Sequence, residues 1–154
     1  MGVNGKPGAS VYGWREFFPH SDIFGADIDT DILFSADRIR TFYCDQTNPA
    51  SIKEMWNRPE LQENFDIIID DGLHQASANV CFFENSVFKL KKGGYFIIED
   101  IKAGCMPLLS KKIKEWKTFF PHLQFNMMTI PSIVNNSDNR LMVAQFCSTK
   151  LFLE

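Results

Sequence analysis

Phe65-Asp66-Ile67-Ile68-Ile69-Asp70-Asp71-Gly72-Leu73-His74 is the stretch on which the fold turns. Its first half is short, aromatic and β-branched, and apolar on both faces, which suits a strand covered on both sides as in a parallel sheet. The run then stops in two acids and a glycine, a strand leaving a sheet into a tight turn. Three further segments share its character: Ile23-Phe24-Gly25-Ala26, Ile39-Arg40-Thr41-Phe42-Tyr43 and Tyr95-Phe96-Ile97-Ile98.

Helical periods lie between these runs. Val11, Trp14 and Phe18 recur at helical spacing, as do Val80, Phe83, Val87 and Leu90, and Leu109, Ile113, Trp116 and Phe120. Lys91-Lys92-Gly93-Gly94 reads as the end of the second of these helices, with cations and a glycine stop, and Pro107 as an opening residue of the third. Trp14-Arg15-Glu16-Phe17-Phe18-Pro19-His20 returns as Trp116-Lys117-Thr118-Phe119-Phe120-Pro121-His122. Proline stops a helix, so the echo reads as two helix-to-strand corners built alike rather than as a duplicated domain, with His20 and His122 structural. Leu123 to Ile130 and Leu141 to Phe146 read as an antiparallel hairpin around Asn135-Asn136-Ser137-Asp138-Asn139. The expected order is a loop, five alternations of helix and strand, and one last strand: a single α/β domain over residues 1–154.

Composition bounds the function. The chain has 154 residues, 45% of them hydrophobic, enough to build one core and to exclude disorder. A net charge of −3 gives no basic face for nucleic acid. No apolar run approaches the ~18 residues of a membrane span, and the first residues lack the apolar block of a secretory signal. Cys44, Cys81, Cys105 and Cys147 form no C-x-x-C pair, so neither a zinc knuckle nor a disulfide framework is expected, and a reduced, cytoplasmic setting follows.

In an open α/β sheet, ligands bind beyond the carboxyl ends of the strands. Those ends carry Asp27 and Asp29, then Asp45, then Asp70 and Asp71, then Glu99 and Asp100. Several carboxylates in one mouth raise one another's pKa, so the arrangement calls for a cation or a hydroxyl-rich ligand. Asp27, about 20 residues past Gly8, matches the acid that holds a ribose hydroxyl in nucleotide-binding folds. Asp71, Glu99 and Asp100 offer hard oxygen ligands of the kind Mg²⁺ takes. His74, on the turn above them, is placed to accept a proton near neutral pH. Asp29, Asp31 and Asp37 read as turn and capping residues. The glycine loop from Gly2 through Gly8 to Ser10 precedes the first helix, whose start offers amides to an anion, although no G-x-G-x-x-G is present.

Taken together, Phe24 to Asp29, Tyr43-Cys44-Asp45-Gln46, Phe65 to His74 and Gly93 to Asp100 resemble the class I S-adenosylmethionine-dependent methyltransferases, above all the metal-dependent O-methyltransferases of macrolide sugars. The resemblance implies a Rossmann-like three-layer sandwich. It further implies that Asp27 binds the ribose of S-adenosylmethionine, with Gly8, Ser10, Ile28 and Asp70 nearby, and that Asp45 and Gln46 approach the adenine. Asp71, Glu99 and Asp100 would hold Mg²⁺, His74 would be the general base, and the methyl acceptor would be a hydroxyl of a small molecule. The family's first, central strand and its glycine motif have no counterpart from Met1 onward, so a domain truncated at its N-terminus is expected. Buried backbone groups left unpaired by that loss would cost about 1–3 kcal/mol each. Two other readings stand beside the enzyme: a degenerate module that binds without turnover, and a nicotinamide-dependent oxidoreductase, disfavoured because its glycine fingerprint is missing. A homo-oligomer is compatible with the sequence, which is otherwise silent on assembly.

Overall fold

The computed structural model describes residues 6–134 and 137–147, so Gly2 to Gly5 of the glycine loop and Asn135 and Asn136 of the hairpin loop lie outside the described residues. It divides into two compact units, Met1–Asp45 and Gln46–Glu154.

The first unit opens with helix α1 (Ala9–Phe17), followed by strands β1 (Ile23–Asp27), β2 (Ser35–Ala36) and β3 (Ile39–Tyr43) in the order β1-β3-β2. β1 and β3 are parallel, with Ile23 opposite Ile39 and Asp27 opposite Tyr43. The helix expected between them does not form. Eleven residues separate Asp27 from Ile39, fewer than the dozen or more that a helical crossover needs. The segment also carries Asp29, whose side chain accepts from the Asp31 amide at 3.0 Å and starts a single 3-10 turn instead. Two-residue β2 then runs antiparallel to β3. Arg38 sits at φ 54° and its guanidinium donates to the carbonyls of Phe18, Ser21 and Arg15 at 3.0, 2.8 and 3.1 Å, which ties the end of α1 to the β2–β3 turn. Gly8 caps α1 at φ +79°, and a Cβ there would meet the Phe34 ring at 2.6 Å.

The second unit holds α2 (Pro49–Trp56), β4 (Phe65–Asp70), α3 (Ala76–Glu84), β5 (Leu90–Ile98), α4 (Met106–Phe119), β6 (Leu123–Thr129) and β7 (Arg140–Phe146), with sheet order β4-β5-β7-β6. β4 and β5 are parallel; β5–β7 and β6–β7 are antiparallel, so the C-terminal hairpin forms as the sequence suggests. One face of the sheet makes the core. Phe83 of α3 is fully buried, its ring 4.1 Å from that of Trp116 on α4, 4.9 Å from Phe96 on β5 and 5.9 Å from Phe125 on β6. The opposite face is less covered than the apolar runs imply, since Ile67 and Tyr95 keep 38% and 40% of their surface.

Lys91-Lys92-Gly93-Gly94 does not end a helix. α3 stops earlier, at Glu84, where the Asn85 side chain donates to the Cys81 carbonyl at 2.8 Å, and a short 3-10 turn at Val87–Lys89 leads into β5. The four residues belong to that strand. Gly93 takes φ +84° at a shift in the β4–β5 register between Phe65 and Ile67, and Lys91 reaches Asp66 across the strands at 2.8 Å. The Trp-to-His echo is two corners of one design: Phe18 N–H donates to the Trp14 carbonyl at 2.9 Å and Phe120 N–H to Trp116 at 2.7 Å. None of the four cysteines is in a disulfide, and among the described residues no helix is long and apolar enough to cross a membrane.

Candidate metal and proton-transfer site

The site is built where β4 and β5 end together. Their register sets Asp70 opposite Ile98, and the Glu99 amide extends the ladder by donating to the Asp70 carbonyl at 3.0 Å. Asp71 and Glu99 therefore leave neighbouring parallel strands at one level. Asp100 follows at φ 52°, and the next residue is pinned to β7 by the Ile101 N–H, which donates to the Arg140 carbonyl at 3.0 Å. His74 sits at φ 54°. His74 and Asp100 thus both take the left-handed backbone, which Asp and His tolerate better than most non-glycine residues.

Ligand atoms of Asp71, His74 and Asp100 lie within 4.8 Å of one another. His74 Nε2 is 3.7 Å from Asp71 Oδ1, while its Nδ1 is buried without a hydrogen-bond partner. Glu99 is not in that trio, yet it belongs to the same electrostatic group. Its carboxyl is pushed up by burial and then by the charges of Asp71 and Asp100, with His74 acting against them. Asp71 is likewise raised, first by burial, against the pull of His74 and with Asp100 and Asp70 adding to the rise. The carboxylate oxygens of Asp71, Glu99 and Asp100, which repel one another, are hard donors that fit Mg²⁺.

Asp70 differs from these. It is 3% exposed and burial raises its pKa, with hydrogen bonds from Asn79, Gln46 and Gly72 opposing the rise. Gln46 Nε2 donates to Oδ1 at 2.9 Å, the Gly72 amide to the same oxygen at 3.3 Å, and Asn79 Nδ2 to Oδ2 at 2.9 Å. Gln46 Oε1 in turn accepts from the Leu73 amide at 2.6 Å. Asn79 is the participant that the sequence reading did not single out; its only signal there is a polar residue set between Ala78 and the apolar run Val80 to Phe83.

The remaining expected residues lie in the first unit. Asp27 ends β1, half-buried, and its Oδ1 accepts from the Asp29 amide at 2.9 Å. Ile28 is 60% exposed beside it. Asp45 follows β3 by two residues and is half-buried; Gly8 and Ser10 stand at the start of α1.

Comparison with known proteins gives this geometry a relative. Over 112 residues the chain is 32% identical to the 8-demethyl-8-(2-methoxy-alpha-L-rhamnosyl)-tetracenomycin-C 3'-O-methyltransferase of Streptomyces olivaceus, covering 70% of this chain and 28% of that protein. Over 101 residues it is 34% identical to the mycinamicin VI 2''-O-methyltransferase of Micromonospora griseorubida, covering 65% and 24%. Over the matched segment the chain is a homologue of these O-methyltransferases. It spans about a quarter of the length of these relatives. No family model matches it. Among solved structures, the MycE methyltransferase of the mycinamycin biosynthetic pathway, in complex with Mg and SAH, superposes with a TM-score of 0.66 at 22% identity, over 96% of this chain and 42% of that one. The homologue therefore has the Rossmann-like α/β fold of S-adenosylmethionine-dependent methyltransferases.

Proposed function

We propose that the chain is the metal- and cofactor-handling part of an S-adenosylmethionine-dependent O-methyltransferase that acts on a hydroxyl of a small molecule, in the manner of its sugar-modifying relatives. The observation that carries the reading is the meeting of Asp71, His74 and Asp100 at the ends of two adjacent parallel strands. Asp71, Glu99 and Asp100 are the residues that would hold Mg²⁺, which when bound supplies Lewis-acid acidification of an acceptor hydroxyl. His74 takes the hydroxyl proton. S-adenosylmethionine, when bound, would supply the electrophilic methyl to the oxygen that His74 has deprotonated, and S-adenosylhomocysteine and a methyl ether would leave. Asp27 would hold the ribose hydroxyls, with Gly8, Ser10, Ile28 and Asp45 about the nucleoside.

A second reading of one residue has its own support. Because His74 offers a nitrogen to the same point as Asp71 and Asp100, it is placed equally to be a ligand, with Glu99 outside the set. The overall reading is tested by titrating the full chain with Mn²⁺ and with S-adenosylhomocysteine, and by following S-adenosylhomocysteine release with glycosylated polyketide acceptors, with and without EDTA. Metal-dependent release supports it. Cofactor binding without release for any polyhydroxylated acceptor favours a non-catalytic module. A rate indifferent to EDTA removes the metal.

A further inference from the structure

The loop from Asp71 to Gln75, between β4 and α3, carries two of the three clustered groups and has few anchors of its own. Cys105 Sγ reaches the His74 carbonyl only at 3.9 Å. The short contact is from elsewhere: Gln46, before α2, accepts from the Leu73 amide at 2.6 Å and at the same time donates to Asp70 at 2.9 Å. Asp70 is held from its other side by Asn79, itself 1% exposed on α3. A carboxylate this deeply buried persists only where donors compensate its lost hydration, and a fully satisfied buried network is rigid. The space for it is also specific. A Cβ on Gly72 would run into Gln46 Oε1, so the side chain can lie across the loop only because residue 72 is glycine.

We propose that Gln46, Asp70 and Asn79 are positioning residues: an amide–carboxylate–amide chain that fixes the Asp71–His74 loop so that its carboxylate and imidazole meet Asp100 at ligand distance. This gives Gln46 and Asp70 a task other than contact with the cofactor. The assignment rests on the site being a metal site.

The test measures Mn²⁺ affinity of the full chain by titration calorimetry, beside its thermal melt. Gln46→Met keeps the length and removes the polar atoms; Gly72→Ala keeps every partner and displaces Gln46. Both are expected to weaken Mn²⁺ binding by roughly 10–100-fold, the usual cost of losing groups that orient a ligand. In an Asp71→Ala background the same two changes should cost distinctly less, since of the two groups they position only His74 is left. A general structural role would give equal losses in both backgrounds and would overturn the proposal, as would wild-type affinity in the two single variants. If Gln46→Met fails to fold, Gly72→Ala decides alone. A wild-type chain that binds no Mn²⁺ overturns the metal site itself and this assignment with it, and is recognised before any variant is made.

Discussion

His74 Nε2 stands 3.7 Å from Asp71 Oδ1, beyond hydrogen-bond range but close enough for a protonated imidazole to favour the Asp71 carboxylate. With Nδ1 buried and unpartnered, the imidazole is held in place by its loop more than by its own bonds. His74→Gln therefore separates the two tasks open to it. As general base its loss should lower turnover by about 10²–10⁴-fold with Mn²⁺ affinity within a few-fold of wild type. As ligand its loss should weaken Mn²⁺ binding and turnover together. Calorimetric titration beside a rate measurement reads both.

The acidic cluster should make stability fall as pH rises. Asp71 and Glu99 have folded-state pKa values above their ordinary ones, so the fold binds their protons more tightly than the unfolded chain does. Their contribution is most favourable below the ordinary carboxylate range and is lost as pH climbs through the raised values. Asp71→Asn and Glu99→Gln should accordingly raise Tm at pH 7 and leave it nearly unchanged at pH 4. The gain should stay small, a few degrees at most, because Asp71 is half exposed and solvent screens the repulsion. Mg²⁺ should raise the wild-type Tm at pH 7 and raise it less in either variant. A Tm lowered at pH 7 by Asp71→Asn would contradict the repulsion.

The strands that carry the site were legible because Phe65 to Asp70 and Tyr95 to Ile98 are short apolar runs that end in acid, a pattern that periodicity and the rule for parallel sheets interpret without help. Lys91 to Gly94 misled because two cations and two glycines serve equally well at a helix end and at a strand irregularity; local chemistry does not tell the two apart, and pairing with Asp66 does. The β1–β3 connection misled through expectation of a regular alternation, where the segment is at the lower limit of length for a helical crossover and its Asp29 cap starts only a 3-10 turn. Asn79 and the pair of hydrogen bonds made by Gln46 were hidden for another reason. Their partner Asp70 is nine residues from one and twenty-four from the other, and no spacing rule reaches across three elements.

The core of the second unit concentrates on one ring. Phe83 is fully buried and touches the rings of Trp116, Phe96 and Phe125. Phe83→Ala should cost about 3–5 kcal/mol, since neighbours drawn from two strands and a second helix cannot all close on the cavity. Phe83→Leu should cost less than half of that. Urea unfolding followed by tryptophan fluorescence reports it directly, because Trp116 lies 4.1 Å from the deleted ring. Equal midpoints for wild type and Phe83→Ala would mean that this cluster is not the core.

Asp27 has one job in the structure and a second in the proposed function, and one substitution can separate them. Its Oδ1 accepts from the Asp29 amide at 2.9 Å, which is sufficient reason for an acid, or an asparagine, to end β1. Holding ribose hydroxyls needs the charge as well, because hydrogen bonds to an ionised acceptor are roughly twice as strong as neutral ones. Asp27→Asn keeps the turn and removes the charge; Asp27→Ala removes both. If the carboxylate holds the cofactor, Asp27→Asn should weaken S-adenosylhomocysteine binding by about tenfold or more, equivalent to ~1.4 kcal/mol, with an unchanged melt, and Asp27→Ala should weaken binding further and lower Tm. If the acid serves the turn alone, Asp27→Asn will bind as wild type does and only Asp27→Ala will melt early. Calorimetry and a melting curve on the two variants distinguish these outcomes without any knowledge of the methyl acceptor.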